Sequence, residues 1–143
     1  MTAELPAALA EIREDFLALA PQDRLQLLLE FSGELPELPQ RFADDPASTE
    51  RVAECQAPVY IALEVDDAGV HLHAAAPREA PTTRGFASIL VQGLDGAPVQ
   101  TVLAIPADFP LTLGLTEIVS PLRLNGMSGM LSRAQRLTIE HSR

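Results

Sequence analysis

The sequence predicts an α+β fold, a small antiparallel sheet covered on one side by helices. Three observations predict it. Apolar residues recur at helical spacing near both ends, as Leu9, Ile12 and Phe16 in the first segment and Met127, Met130, Leu131, Ala134 and Leu137 in the last. Between them Val59, Ile61, Leu63 and Val65 alternate with Tyr60, Ala62, Glu64 and Asp66, the period of a strand with one wet side. A length of 143 residues, 47% hydrophobic, suits a single domain over 1–143 whose core needs no disulfide staples.

Taken in order, Leu5, Leu9, Ile12, Phe16 and Leu19 make the stripe of a first amphipathic helix, with Glu11, Glu14 and Asp15 off it. Pro21 opens a second helix that should carry Leu25, Leu28, Leu29 and Phe31 inward, with Gly33 placed to end it in a left-handed cap. The two helices should pack as an antiparallel pair. Leu35-Pro36-Glu37-Leu38-Pro39 cannot continue a helix, because proline lacks an N–H and extends the residue before it. It reads as a stiff connector, and the polar stretch Ala43 to Glu50 as an exposed loop.

The strand from Val59 turns at Asp66-Asp67-Ala68-Gly69 and returns through Val70, Leu72 and Ala74, an antiparallel hairpin. A third strand from the residues before Cys55 is left open. Pro81 begins a further helix with Phe86, Ile89, Leu90 and Leu94 inward, until Gly93 and Gly96 stop it. Prolines at 98, 106 and 110 then permit only short helical turns. Ser120-Pro121 caps and starts the final helix. Gly126 and Gly129 inside it cost about 1 kcal/mol each against alanine, which points to close backbone approach there.

Composition bounds the function. No apolar run reaches the length of a membrane span, and the N-terminus is acidic and amphipathic where a signal peptide would be basic and then apolar. A cytoplasmic location without membrane attachment is expected. The net charge of -10 argues against nucleic acid, which needs a basic stripe, although the segment after Ser120 carries four arginines against one glutamate. There is no lysine, so the chain cannot hold pyridoxal phosphate as a Schiff base and cannot itself be a standard desulfurase of that class.

The one cysteine lies in Arg51-Val52-Ala53-Glu54-Cys55-Gln56-Ala57-Pro58, between the polar loop and the first strand. A lone thiol closes no intrachain disulfide and falls short of the ligands that hold an iron–sulfur cluster or a structural zinc. Two readings stand on the residues alone. Cys55 is a small buried hydrophobe, or it is a nucleophile or group carrier. His71 and His73 share the polar face of the returning strand. They read as solvent-facing, since a metal would need further ligands and nothing nearby in sequence supplies them.

Arg-Val-x-x-Cys-Gln-x-Pro-Val before a strand, Ala80-Pro81 with Arg84-Gly85-Phe86, and Ser120-Pro121 with Arg123, Gly126, Met130 and Leu131, together resemble the SufE family. The resemblance runs from the first helix to the last in unbroken order, departing where Glu79 stands for the usual aspartate as a poorer helix cap. It implies a SufE/IscU-like version of the α+β fold and a protein that takes persulfide sulfur onto Cys55 from a SufS-type, pyridoxal phosphate-dependent cysteine desulfurase. Such a protein stimulates that enzyme and passes sulfur to a SufBCD-like iron–sulfur scaffold complex, with no bound cofactor beyond the transient persulfide on Cys55.

Arg123 matches the arginine of the family's C-terminal motif and is the candidate cation for the thiolate or persulfide, with Arg51 behind it. The neighbour Glu54 works the wrong way. Arg51, Glu54, Gln56 and Arg84 complete the candidate set as partner-docking residues. Because a persulfide is easily reduced or oxidised, Cys55 should sit at a loop tip, turned into an apolar recess when alone and outward on docking, with Ala53, Glu54 and Gln56 as the residues that move. Two rival classes remain: a docking-only activator module whose thiol is incidental, and a cysteine-nucleophile hydrolase using His71 or His73 as base.

Overall fold

The structure, a computed structural model, describes residues 5–142; the extreme ends of the expected 1–143 domain, Arg143 included, lie outside the described residues. The element order is α1 (Ala7–Ala18), α2 (Pro21–Glu34), α3 (Gln40–Ala43), β1 (Glu50–Arg51), β2 (Tyr60–Asp66), β3 (Gly69–Ala75), α4 (Pro81–Leu94), α5 (Val99–Leu103) and α6 (Pro121–His141), with 3₁₀ turns at Pro46–Ser48 and Phe109–Thr112. Proline stands first in α2, α4 and α6, where its missing N–H costs nothing and its φ is already helical. Ser120 caps α6 as expected, its hydroxyl accepting from the Arg123 N–H at 3.3 Å. Glu79 caps nothing: α4 begins after Ala80 without a side-chain cap.

The sheet is antiparallel in the order β1-β2-β3, so the residues just before the cysteine do supply a third strand, Glu50 opposite Ile61 and Arg51 opposite Tyr60. In the hairpin, Ile61 pairs with Ala74, Leu63 with Leu72 and Val65 with Val70. Their face meets the helices, and Val59, Ile61, Leu63, Val70, Leu72 and Ala74 are all buried. On the other face short α3 reaches back, where Phe42 packs on His73 at 5.2 Å between ring centroids and Arg41 pairs with Glu64.

α4 is the central helix, nine of its fourteen residues buried, and it touches α1, α2, α6 and β3. Here the Arg84-Gly85-Phe86 motif acquires a structural task. The Arg84 guanidinium donates to the carbonyl oxygens of Ser32 (3.0 Å), Ala76 (2.6 Å) and Leu35 (3.4 Å), stitching the end of α2 and the end of β3 to α4. A Cβ on Gly85 would lie 2.5 Å from the Leu28 carbonyl oxygen, so only glycine lets α2 come this close. Phe86 is fully buried beneath them.

Four expectations are corrected. Leu25 and Leu29 are exposed, at 38% and 37%, while Leu28 and Phe31 are buried. α1 and α2 each pack chiefly on α4 rather than as the expected antiparallel pair, and α2 turns only that narrower stripe towards α4. Gly33 does not end α2 in a left-handed cap: the helix runs on to Glu34, and Leu35, extended before Pro36, stops it. Gly93 is not a stop either, because it lies within α4 against Leu9, and Gly96 with φ +75° follows the helix. Among the described residues no helix is long and apolar enough to cross a membrane.

Candidate functional site

The cysteine stands on a short excursion whose base is pinned. The Val52 N–H donates to the Val59 carbonyl at 2.9 Å, both side chains are fully buried, and the Cys55 N–H folds back to the Val52 carbonyl at 3.1 Å. Residues 53–58 form the tip between these anchors, consistent with the expected loop. Cys55 itself is 7% exposed, its S–H directed at the Gly126 carbonyl oxygen at 3.7 Å. A Cβ on Gly126 would sit 3.1 Å from the sulfur, which accounts for one of the two glycines in α6.

Gly129 accounts for the other. One turn further along α6, a Cβ there would lie 2.6 Å from both Cγ and Cδ of Glu54, so the Glu54 stem lies directly on the helix. Its carboxylate meets Arg133, which donates from Nε at 2.8 Å and from Nη2 at 3.5 Å. Arg133 also donates from Nη1 to Glu50 of β1 at 2.8 Å, and Glu50 is paired in turn with Arg136. Both carboxyls are held below the usual carboxylate range, Glu50 chiefly by its bond from Arg136 and Glu54 chiefly by its bond from Arg133.

In front of the sulfur opens a cavity of about 290 Å³ lined by residues of the cysteine loop and of the first turns of α4 and α6. Gln56, Glu79, Thr82, Thr83 and Arg123 supply its polar wall, and Ala57, Pro81 and Leu122 much of the rest. The recess is therefore mixed rather than apolar, and the sulfur reaches it along one edge. Burial pushes the Cys55 thiol up to about 11, Glu54 adding to the rise and Arg133 opposing it. In this conformation Cys55 is a neutral thiol, a hydrogen-bond donor with little nucleophilic power.

The candidate residues separate accordingly. Cys55, Gln56 and Arg123 are brought together at the cavity, Arg123 donating to the Thr82 hydroxyl at 3.4 Å. Arg51 is exposed on β1 and does not line it. Glu54 is engaged by Arg133 and Arg84 by three carbonyls, so neither charge is free to meet a partner in this state. The cation that acts on the Cys55 thiol is Arg133, which sequence reasoning missed. The available signal was the arginine excess after Ser120, set against an acidic first half.

The histidines lie elsewhere. His71 is bonded to Asp95 at 2.8 Å and to Asp66 at 2.9 Å, and His73 to Glu64 at 2.9 Å, so each has the orienting carboxylate that the sequence did not reveal. Neither lines the cavity of Cys55, which removes the geometric support for a thiol–histidine nucleophile. Among the described residues no group of three histidine, cysteine or carboxylate side chains is placed to hold a metal ion.

Comparison with known proteins agrees with the fold and the motifs. Residues 10–138 match the SufE family, described as an Fe–S metabolism associated domain. An uncharacterised SufE-like protein of Mycobacterium tuberculosis is 53% identical over 135 residues, covering 94% of this chain and 93% of that protein. The SufE-like protein 1, chloroplastic/mitochondrial, of Arabidopsis thaliana is 31% identical over 134 residues, 93% of this chain and 35% of that longer protein. The solution structure of a hypothetical protein from Thermus thermophilus superposes with a TM-score of 0.85 at 34% identity, covering 97% of this chain and 98% of that one.

Proposed function

The chain belongs to the SufE family, and from that premise we propose that it is a sulfur carrier in iron–sulfur metabolism, loading Cys55 with persulfide sulfur from a SufS-type cysteine desulfurase. The observation that carries the reading is the setting of the single thiol: on a six-residue tip between buried anchors, neutral at rest, at the edge of a cavity open to the surface. A structural cysteine needs no such cavity, and a stand-alone hydrolase would need a base beside it.

The transfer balances without an added oxidant. The Cys55 thiolate attacks the outer sulfur of the partner's Cys–S–SH, the new S–S bond forms as the old one breaks, and the partner's thiolate leaves. Cys55 gives up its proton before attack and ends as a persulfide. Arg123, which lines the same cavity, stabilises the persulfide anion in this reading, because its guanidinium stays charged and offers several donors. Release to a SufBCD-like scaffold complex completes the cycle, and the partner desulfurase gains from having its persulfide cleared.

The test is mass spectrometry under non-reducing conditions after incubation with a pyridoxal phosphate-dependent cysteine desulfurase and cysteine. The expected result is a gain of one sulfur atom on Cys55, removed by thiol reductant and missing in Cys55→Ala. Stimulation of the desulfurase that persists in Cys55→Ala, with no added sulfur on the native protein, would replace the carrier by the docking-only module.

A further inference from the structure

We infer that the Glu54–Arg133 pair is a latch that keeps the Cys55 tip folded against α6, and that Glu54 is the half that lets go. The tip has few other holds. Among the described residues, the polar contacts of 53–58 to the rest of the protein are the Val52 turn at its base, the long S–H to Gly126 and the two bonds from Arg133 to Glu54. Gln56 and Pro58 are exposed. The ion pair is thus the strongest side-chain tether of the segment that carries the sulfur.

The network around Arg133 is built asymmetrically. When Glu54 departs, Arg133 keeps Glu50 at 2.8 Å, and Glu50 keeps Arg136 as well. Arg133, Glu50 and Arg136 thus each keep a counter-ion. If Arg133 were to move instead, both Glu50 and Glu54 would lose a partner. The departing carboxylate is itself 34% exposed and enters water readily. Gly129 completes the device, since it gives the Glu54 stem the flat helix surface on which to lie. Glu54 and Arg133 are positioning residues here: they act on the sulfur by setting where the tip rests.

The inference rests on the carrier reading for its purpose, while its test uses a small electrophile and no partner protein, so the two fail separately. The rate of Cys55 alkylation by iodoacetamide, followed against pH, yields a thiol pKa and a limiting rate constant for the thiolate. The pKa responds to burial and to the charges of Glu54 and Arg133, while Glu79 and Arg123 face the same cavity. The limiting constant reports how often the sulfur is reachable.

Glu54→Gln should raise the limiting constant by about tenfold, and so should Gly129→Ala, which keeps both charges but crowds the stem. Arg133→Gln should raise it too; loss of the cation raises the thiol pKa while release of the tip from burial lowers it, so the limiting constant carries the result for this variant. Arg41→Gln, which breaks an ion pair on the far face of the sheet, should leave it unchanged. Unaltered limiting constants in Glu54→Gln and Gly129→Ala, with far-ultraviolet circular dichroism showing both folded, would overturn the latch. Opposite pKa shifts without any change in limiting constant would reduce Glu54 and Arg133 to local electrostatics.

Discussion

The resting thiol of Cys55 should be a weak acid, and the consequence can be measured directly. Burial against α6, reinforced by Glu54, moves it from an ordinary 9.0 to about 11. At any pH well below both values that is about a hundredfold less thiolate, or about 2 to 3 kcal/mol of reactivity withheld. Ultraviolet absorbance of the thiolate, titrated in the folded protein with Cys55→Ser subtracted to remove Tyr60, should give an inflection near 11. The same shift carries a stability signature. A folded-state value raised above the unfolded one contributes stability that is fully present below about pH 9 and is lost as pH rises towards 11. By urea denaturation the native protein should therefore lose about 2 kcal/mol relative to Cys55→Ala between those limits. An inflection at or below 9.0, or a difference that does not change with pH, would refute the argument that packing on Gly126 and Glu54 silences the sulfur.

Three further outcomes follow from the fold. Arg84→Ala strips donors from three carbonyls and should cost about 3 kcal/mol, lowering the melting temperature by about 10 °C while leaving sulfur acceptance by the folded protein intact; unchanged stability with lost desulfurase stimulation would instead make Arg84 a docking residue. Gly85→Ala gains about 1 kcal/mol of helix propensity but drives a methyl into the Leu28 carbonyl, and a net loss of about 2 kcal/mol is expected from thermal denaturation. His71 is raised above its ordinary 6.5, first by Asp95 and then by Asp66. The stability it adds is present below that value and is lost as pH rises through the folded one, so the advantage over His71→Asn should shrink by about 0.5 kcal/mol from pH 6 to pH 8 in calorimetry.

How much of this was legible beforehand depends on the range of the interaction. Pro21, Pro81 and Ser120-Pro121 announce helix starts through their own backbone chemistry, and all three begin helices where expected. The hairpin follows from alternation and a turn, both local. The failures lie where a distant neighbour decides. Leu25, Leu28 and Leu29 are chemically alike, and only the approach of α4 selects Leu28 for burial. Gly93 looks like a stop until Leu9, more than eighty residues earlier, is found packed against it. Arg133 and Glu54 are 79 positions apart, so no spacing rule could have joined them. The thiol was visible as chemistry from the start, whereas its silence comes from α6.

The hydrogen bond between Val52 and Val59 also limits how far the cargo can travel. Cys55 lies three residues beyond the fixed Val52, and even a fully drawn-out chain of that length reaches about 10 Å. The arm is thus short. Under the proposed carrier role, giver and receiver would each have to bring their own sulfur chemistry almost to the protein's skin, seating one after the other at a berth around the cavity mouth.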